Sequence, residues 1–367
     1  MTLSAEIRAQ LSSDFQLDVG FTTAPGITIV FGGSGSGKTT MLRCLAGLHR
    51  PDDGRIAVGD EVVFDVNTRV DVPTRRRKLG YVFQHLALFP KMTVEANLHY
   101  GLAHLSPAER RDRTASIAAS FKIAHLLGRT PGEISGGERQ RTALARSLVT
   151  DPHLLLLDEP LSALDHVAKS RIIEDLRVWN AARGIPILYV THSHREVFAL
   201  GEQVLVLERG RIVAQGTPQE VLESPTHEPL AQLAGFENFF DATVLAIRAQ
   251  GGIMHCRLAD SDAELEVPLS RTVPGAQVRI AVRAGDILLA TEPPRGLSAR
   301  NVLAGILTSM QREGTTVILT VHAGARFEVH VTPDACESLR LAPAQPVWLV
   351  IKTRSCRIVS TGRQELP

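Results

Sequence analysis

A glycine-rich segment near the N-terminus has the residue types and spacing of a phosphate-binding loop. It reads Gly-Gly-Ser-Gly-Ser-Gly-Lys-Thr and matches G-x-x-x-x-G-K-[ST]. Glycines allow such a loop to curl so that successive N–H groups face a phosphate chain. We expect Lys38 to reach the β- and γ-phosphates and the Thr39 hydroxyl to hold Mg²⁺. The pattern predicts nucleotide binding, and the alternative is a Gly/Ser-rich turn that fits by chance. The residues expected around the phosphates are Gly32, Gly33, Ser34, Gly35, Ser36, Gly37, Lys38, Thr39 and Thr40.

Two adjacent acids, Asp158 and Glu159, follow the apolar run Leu154–Leu157. Ligands of α/β folds bind where the carboxyl ends of parallel strands meet. We therefore expect Asp158 to contact the metal and Glu159 to polarise the water that attacks the γ-phosphate. Alone, such a pair is often a helix cap or a solvated turn. The upstream phosphate loop favours the catalytic interpretation.

The elements that must position these residues are indicated by apolar runs before residue 236. A helix-rich insertion extends from about Thr93 to Thr150, and Ser106-Pro-Ala-Glu109 within it has an N-cap serine, a first-turn proline and a capping-box glutamate. The first part of the chain is therefore predicted to be an α/β domain with a helical insertion. Its expected strands are apolar at consecutive residues, as in a parallel sheet covered on both faces: Ile27–Phe31, Lys78–Phe83, Leu154–Leu157, Ile187–Val190 and Val204–Leu207.

After about residue 236 the sequence changes to short β-type runs separated by glycine, proline and polar residues. The segment that begins at Asn238 is similar to the one that begins at Asn301, and Val278–Arg283 is similar to Val347–Lys352. This repeat predicts two small five-stranded units of the OB type, and the alternative is one irregular β-sandwich. We expect the α/β domain to occupy residues 1–236 and the all-β region residues 237–362.

Composition and charge exclude several function classes. The 367 residues carry a formal net charge of +1, which argues against a basic nucleic-acid binder and against purely electrostatic attachment to acidic lipid. The four cysteines are scattered without metal-ligand spacing, as suits reduced thiols in the cytosol. No signal peptide is evident, and the apolar runs are far shorter than the ~20 residues of a membrane span. We therefore expect a soluble protein that meets a membrane only through a partner.

Between the phosphate loop and the acid pair, residues 134–138 read Ile-Ser-Gly-Gly-Glu and open a helix that extends to about Leu148. Residues 16–236 resemble the ATP-binding subunits of ABC transporters, and this segment resembles their signature loop. Three further motifs occur in that family's order: Gln84 in Tyr81-Val-Phe-Gln84 resembles the Q-loop, Asp165 in Ser162-Ala-Leu-Asp165 the D-loop, and His192 in Tyr189-Val-Thr-His192 the switch histidine.

The resemblance implies roles for these motifs. Gln84 would complete the shell of the metal and water together with Thr39 and Asp158, and it would sense a transmembrane partner. His192 would hydrogen-bond the γ-phosphate and orient Glu159. Two subunits would pair head to tail, so that ATP bridges them and its hydrolysis lets them part. The residues of one subunit that would cap the other's ATP are Ser135, Gly136, Gly137 and Glu138, with Asp165 beside them.

Some positions depart from the family's pattern or lack a defined counterpart. Glu138 stands where many members have glutamine, and Ser193 stands where many have aspartate. Phe15 is the nearest candidate for stacking on adenine, with a core role as the alternative. The segment from Gln84 to Leu98, with Phe89 exposed, is expected to dock on the membrane subunit; the alternative is that it folds onto the helical insertion.

The C-terminal segment resembles the molybdate-binding Mop domain, over about residues 296–361. Leu297–Gly305 is similar to its opening strand and Val347–Val359 to its closing strand. The hydroxyl of Ser298, the guanidinium of Arg300 and the ammonium of Lys352 would suit an oxyanion; the alternative is a charged, solvent-facing surface. The implied fold class is an α/β P-loop NTPase, an ABC ATPase with a helical subdomain, followed by an all-β, OB-like Mop/TOBE domain.

Taken together, the chain resembles the ModC family, whose members energise molybdate import. The resemblance implies ATP and Mg²⁺ as cofactors, a homodimer, membrane-embedded permease subunits, an external oxyanion-binding protein and no nucleic acid. It also implies a peripheral position on the cytoplasmic face of the cell membrane and oxyanion sensing by the C-terminal domain. Tungstate is nearly isosteric with molybdate, and import of sulfate, a polyamine or a sugar is an alternative. A soluble ABC ATPase and an oxyanion sensor are alternatives of another class. The single phosphate loop argues against the first, and an intact Glu159 and His192 argue against the second.

Overall fold

A computed structural model describes residues 1–161, 164, 166–223, 225 and 228–359 of the chain. It divides into two compact units, residues 1–219 and residues 220–367. The boundary expected from the sequence lies further along the chain, near residue 236. Within the described residues, no helix combines the length and apolar character that crossing a membrane requires.

The first unit contains two sheets, whose strands are β1 (Leu3–Gln10), β2 (Gln16–Thr23), β3 (Gly26–Phe31), β4 (Asp53–Val58), β5 (Glu61–Asp65), β6 (Val70–Asp71), β7 (Leu79–Val82), β8 (Leu154–Asp158), β9 (Pro186–Thr191), β10 (Gln203–Glu208) and β11 (Arg211–Gly216). One is a five-stranded antiparallel sheet in the order β2-β1-β4-β5-β6. The other has the order β11-β10-β3-β9-β8-β7 and is parallel except at its β11 edge. The five predicted strands therefore form the parallel part of this sheet.

The helices of the first unit are α1 (Lys38–Ala46), α2 (Val94–His99), α3 (Pro107–Ser120), α4 (Gly136–Leu148), α5 (His166–Ala181) and α6 (His194–Leu200). Helices α2, α3 and α4 form the predicted insertion. Helix α3 begins as predicted: the Ser106 side chain accepts from the Glu109 N–H at 3.3 Å, and the Glu109 carboxylate accepts from the Ser106 N–H at 3.0 Å. This capping box satisfies two donors that a helix start would otherwise leave unpaired.

Three adjacent strands of the parallel sheet end at the same edge. Every residue of β8 and of β9 is buried, because helices cover both faces of such a sheet. Phe31 at the end of β3 pairs with Thr191 of β9, and Asp158 of β8 pairs with Val190. The register therefore delivers the glycine-rich loop, the acid pair and His192 to one place.

The second unit contains α7 (Glu228–Leu233) and α8 (Pro333–Ser338), with strands β12 (Asn238–Arg248), β13 (Ile253–Leu258), β14 (Glu264–Pro268), β15 (Gln277–Val282), β16 (Leu288–Ala290), β17 (Asn301–Glu313), β18 (Thr316–His322), β19 (Arg326–Val331), β20 (Pro346–Ile351) and β21 (Cys356–Val359). These strands form two five-stranded sheets, β14-β13-β12-β15-β21 and β19-β18-β17-β20-β16. The two sheets repeat one strand order and exchange their fifth strands, since β16 pairs with β20 and β21 pairs with β15. They share one hydrophobic core. In each sheet, four strands that are consecutive in the chain are joined by the last strand of the other set.

Asn238 and Asn301 begin corresponding strands and join the two repeats reciprocally. The Asn238 amide donates to the Glu328 carbonyl at 2.9 Å and accepts from the Glu328 N–H at 2.7 Å. The Asn301 amide makes the same pair of bonds to the main chain of Glu266, at 2.9 and 2.6 Å. Both asparagine side chains are buried, so their polar atoms require these partners.

Candidate functional site

The edge at which the parallel strands end opens into a cavity of about 610 Å³. This volume lies within the range of small-molecule sites. The cavity brings together segments that are far apart in sequence and were each singled out above. Its lining residues are Leu11, Phe15, Ser34, Gly35, Gly37, Lys38, Thr39, Thr40, Gln84, Glu159 and His192.

The glycine-rich loop has the backbone that a phosphate cradle needs. Gly35 and Gly37 have φ of 77° and 105°, a region that residues with a side chain rarely adopt. A Cβ at Gly32 would lie 2.2 Å from the Leu207 carbonyl oxygen. The Ser36 hydroxyl is buried and has no partner among the described residues. This orphaned donor and the N-terminus of α1 fit the phosphates of a nucleotide.

Lys38 lies inside the loop and close to the acid pair. Its Nζ donates to the carbonyls of Gly32 and Gly33 at 2.9 and 2.7 Å. Burial lowers the pKa of Lys38, and the charges of Glu159 and Asp158 oppose that shift. The ammonium is therefore held where phosphate oxygens can replace the two carbonyls.

The Asp158 carboxylate is held by two hydroxyl groups. The Thr39 hydroxyl donates to Oδ1 at 3.1 Å, and the Tyr81 phenol donates to Oδ2 at 3.2 Å. Burial raises the pKa of Asp158, and these hydrogen bonds oppose that rise. Oxygen ligands with only one or two carboxylates suit Mg²⁺, which takes its remaining ligands from phosphates and water. Thr39 and Asp158 therefore have oxygen donors that fit a magnesium ion bound together with a nucleotide, and Gln84 lines the same cavity as Thr39.

Tyr81 was missed as a site residue, although it lies in the motif quoted for the Q-loop. Burial raises its pKa well above the ordinary value, so the phenol stays protonated and donates. The sequence carries no local signal for this contact, because it depends on the pairing of β7 with β8, which places Tyr81 beside Leu156. A residue three positions before Gln84 can therefore hold the carboxylate of Asp158.

Glu159 and His192 are neighbours in the lining of the cavity. His192 Nδ1 lies 3.4 Å from Glu159 Oε2. The Glu159 N–H donates to the Val190 carbonyl at 3.2 Å, and its φ of 45° lies in the left-handed region. Such backbone strain is maintained only where the surroundings fix it. The carboxylate is 23% exposed, so water can reach it.

A buried carboxylate supports the turn that carries His192. Glu196 accepts from the hydroxyls of Tyr189 and Thr191 at 2.9 and 2.7 Å and pairs with Lys169 at 3.0 Å. Ser193 caps α6, because its side chain accepts from the Glu196 N–H at 3.4 Å. Serine and aspartate are both N-cap residues, which explains why Ser193 is compatible with this turn.

The signature residues begin a different helix and are not among those that line the cavity. Ser135 is the N-cap of α4: its hydroxyl accepts from the Glu138 N–H at 3.3 Å. The Glu138 carboxylate accepts in turn from the Ser135 N–H at 2.7 Å, and these bonds lower the pKa of Glu138. Gly136 and Gly137 form the first turn of the helix. The candidate D-loop residue Asp165 lies outside the described residues.

Two hypotheses about aromatic residues can be compared with the structure. Phe15 lines the cavity and packs against Gly37. Phe89 is half-buried, and its ring centroid lies 4.4 Å from that of Tyr100. The Asn97 amide also bonds the main chain of Phe89. The loop after Gln84 therefore folds onto the helical insertion, which was the alternative to a fully exposed Phe89.

The candidate oxyanion residues lie on the second repeat, and all three side chains are exposed. The pairing of Asn301 with Ile351 places Arg300 and Lys352 at facing positions beyond the end of the β17–β20 ladder. Ser298 precedes Arg300 by two residues. Two facing cations at one strand end favour binding of an anion. Among the described hydrogen bonds, none joins the side chains of Ser298, Arg300 and Lys352 to one another.

The first repeat differs at the matching place. Asn238 pairs with Val282, so the residues that face each other beyond this ladder are Glu237 and Arg283. The Glu237 carboxylate accepts from the Ala284 N–H at 2.7 Å. An acid therefore stands where the second repeat has Arg300. Only the second repeat presents two cations.

Comparisons with known proteins identify relatives of both parts of the chain. A family model described as ABC transporter matches residues 17–162, and one described as TOBE domain matches residues 297–358. A Molybdenum import ATP-binding protein ModC of Rhizobium etli is 39% identical over 96% of this chain and 99% of its own length. One of Mesorhizobium japonicum is 36% identical over 99% and 98%. The ATP-binding cassette MJ0796, solved as a dimer in a post-hydrolysis state with ADP and Pi, covers 59% of this chain and 99% of its own, with 26% identity and a TM-score of 0.51.

Proposed function

This chain belongs to the ModC family of molybdenum import ATP-binding proteins, and we propose that its cavity at the end of the parallel sheet hydrolyses ATP for that import. The protein is an ATP-hydrolysing subunit of an ABC transporter whose cargo is molybdate. The observation that carries the site is the convergence of Lys38, Glu159 and His192 in one cavity.

In the proposed reaction, the loop N–H groups, the Ser36 hydroxyl and Lys38 bind the triphosphate, and Phe15 stacks on the adenine. Lys38 exchanges its two carbonyl partners for phosphate oxygens. Mg²⁺, held by Thr39, Asp158 and Gln84, would neutralise charge on the phosphates. Electrostatic positioning of this kind supplies most of the catalysis in phosphoryl transfer.

Glu159 is proposed as the general base. It accepts a proton as a water oxygen bonds to the γ-phosphorus, and the electron pair of the broken P–O bond leaves with ADP. ADP, phosphate and one proton are the products. His192 is proposed to hydrogen-bond the γ-phosphate and to orient Glu159, and their separation of 3.4 Å supports that pairing.

ABC ATPases of importers dimerise and work on membrane permease partners, and we propose a head-to-tail homodimer. The first N–H groups of a helix have no acceptor within it, so the start of α4 can meet a phosphate. Ser135, Gly136, Gly137 and Glu138 of one chain would then cap ATP bound by the other, with Asp165 nearby. Their position outside the cavity of their own chain supports capping in trans.

We further propose a peripheral position on the cytoplasmic face of the cell membrane, against membrane-embedded permease subunits supplied by an external oxyanion-binding protein. The family assignment supports both. For regulation, we propose that Ser298, Arg300 and Lys352 bind the imported oxyanion. The facing cations of the second repeat support this site.

The test is calorimetric titration of the full-length chain with molybdate, tungstate and sulfate. We expect micromolar binding of molybdate and tungstate, little binding of sulfate, and loss of binding in Arg300→Ala and Lys352→Ala. Arg295→Ala, an exposed cation of the preceding loop, is the matched control. Equal binding of sulfate would contradict molybdate selectivity. Absence of all oxyanion binding would remove the regulatory site, while ATP hydrolysis by the same preparation tests the ATPase separately.

A further inference from the structure

The C-terminal end of α4 holds the loop that follows Gln84. Arg146 Nη1 donates to the Ala87 carbonyl at 2.7 Å, and Nη2 donates to the Leu86 carbonyl at 3.1 Å. The guanidinium carbon lies 5.3 Å from the centroid of the Phe89 ring. One side chain of the insertion thus contacts three residues of this loop.

The two carbonyls belong to strained backbone. Leu86 and Ala87 have φ of 60° and 48°, in the left-handed region that residues with a Cβ avoid. Two consecutive residues in this region persist only when their surroundings stabilise them. The fixed fork of a guanidinium matches two successive carbonyls, which a lysine ammonium cannot reproduce.

Arg146 has no competing acidic partner in the described part of the chain. No carboxylate there lies within ion-pair distance of it, and burial lowers its pKa. The neighbouring Ser147 hydroxyl donates to the Tyr81 carbonyl at 3.1 Å, on the strand that leads to Gln84. The end of α4 therefore contacts the segment both before and after Gln84.

We propose that Arg146 is a positioning residue for Gln84, which fixes the loop of residues 84–89 to the end of α4. The other end of this 13-residue helix carries Ser135, about 17 Å from Arg146 at 1.5 Å per residue. A displacement of the signature residues would then move α4 as a rigid unit, and the Arg146 guanidinium would transmit this movement to the loop that carries Gln84. The inference rests on the proposed function, because Gln84 and Ser135 take their roles from it.

The test compares the full-length wild-type chain with Arg146→Lys, which keeps the charge and loses the fork. The Leu86 and Ala87 N–H groups donate to the Phe83 and His85 carbonyls, so their hydrogen exchange reports the loop directly. We expect this exchange to accelerate about tenfold, with the amides of α4 unchanged. We also expect kcat for ATP to fall about tenfold with KM changed less than about threefold, because the phosphate loop and Lys38, which the substitution leaves in place, make most of the proposed contacts to ATP.

Two further variants separate positioning from general destabilisation. Arg110→Lys is the matched control, because Arg110 also donates to two main-chain carbonyls, those of Ala103 and Leu105. It should leave loop exchange and kcat unchanged. Ala87→Gly in the Arg146→Lys background should restore most of the lost kcat, because glycine adopts this φ without strain.

Unchanged exchange at Leu86 and Ala87 in Arg146→Lys would overturn the proposal. So would faster exchange with unchanged kcat, or failure of Ala87→Gly to recover activity. A wild-type chain that hydrolyses no ATP would contradict the proposed function instead, and the exchange comparison would still decide whether Arg146 holds the loop.

Discussion

His192 approaches Glu159 to 3.4 Å because two adjacent parallel strands end side by side. Glu159 follows β8 directly, and His192 follows β9 directly. The pairing of Asp158 with Val190 aligns the two strand ends. The sheet register, rather than any local motif, therefore sets the distance between the proposed base and its orienting histidine.

Replacement of the proposed base should separate binding from hydrolysis. Glu159→Gln removes the proton acceptor and keeps the side-chain size, so we expect kcat to fall by about 100-fold or more with ATP affinity retained. The dimer should then accumulate when ATP is added, and sedimentation with and without nucleotide measures this accumulation. Glu61→Gln, on the antiparallel sheet, is the control. Near-normal turnover by Glu159→Gln would place the base elsewhere.

Loss of the Tyr81 phenol should weaken use of the metal. Tyr81→Phe keeps the ring packed on Phe83, at 4.2 Å between centroids, and deletes the donor to Asp158. We expect the Mg²⁺ concentration for half-maximal hydrolysis to rise about tenfold, as for other groups that orient metal ligands. Tyr100→Phe, an exposed ring, should have no effect. An unchanged Mg²⁺ dependence of Tyr81→Phe would show that the phenol does not orient Asp158.

Neutralising Glu138 should strengthen ATP-driven pairing of two chains. Hydrogen bonds from Ser135 lower the pKa of Glu138, so it is ionised near neutral pH, where it would face a γ-phosphate in the proposed dimer. Glu138→Gln keeps an acceptor for the capping box and removes the charge. In the Glu159→Gln background we expect the dimer to tighten roughly threefold to tenfold, more at low salt. Glu133→Gln, a capping-box glutamate outside the signature loop, is the control. A dimer unchanged or weakened by Glu138→Gln would argue against capping in trans.

The helical insertion should lose stability in acid through its capping boxes. Hydrogen bonds from Ser106, Thr130 and Ser135 lower the pKa of Glu109, Glu133 and Glu138, respectively. When the pKa of a group is lower in the folded chain than in the unfolded chain, its ionised form stabilises the fold at pH values above the unfolded-state pKa. This stabilisation is lost as the pH falls through the folded-state pKa.

We therefore expect the melting temperature of the wild-type chain to fall between about pH 5 and pH 3 more steeply than that of the Glu109→Gln, Glu133→Gln, Glu138→Gln triple variant. Calorimetry across this range measures the difference. Glutamine keeps a hydrogen-bond acceptor in each capping box. If the triple variant is less stable than the wild-type chain by the same amount at pH 7 and in acid, titration of the three glutamates is excluded as the cause.

The two joining asparagines should stabilise the second unit to a similar degree. Asn301→Ala leaves the Glu266 N–H and carbonyl without partners, and Asn238→Ala does the same at Glu328. We expect a loss of about 1–3 kcal/mol in each case, read from the calorimetric transition of the full-length chain. Thr243→Ala, which breaks an exposed pair with Gln277, should cost much less. A large difference between the two asparagine variants would contradict their reciprocal role.

Local sequence patterns alone were sufficient to predict several structural elements of this protein. The phosphate loop, the buried strands and the start of α3 depend on residues close together in sequence, through backbone conformation, apolar patterning and capping. Phe31 and Asp158 therefore ended strands where expected, and the fold class was confirmed by the comparisons. The repeat was also detectable, because Asn238 and Asn301 begin similar segments.

Tertiary structure alone decided the contacts between distant segments. No local signal pairs the Tyr81 phenol with Asp158, or the Arg146 guanidinium with the carbonyls of Leu86 and Ala87, since each contact depends on strand register or helix packing. The exchange of β16 and β21 could not be predicted for the same reason. The alternation of apolar and polar residues along a strand shows which face is buried, but it does not show which neighbouring strand pairs with its backbone N–H and C=O groups. Sequence thus determined the elements and the chemistry they carry, and packing determined which side chains hold that chemistry in place.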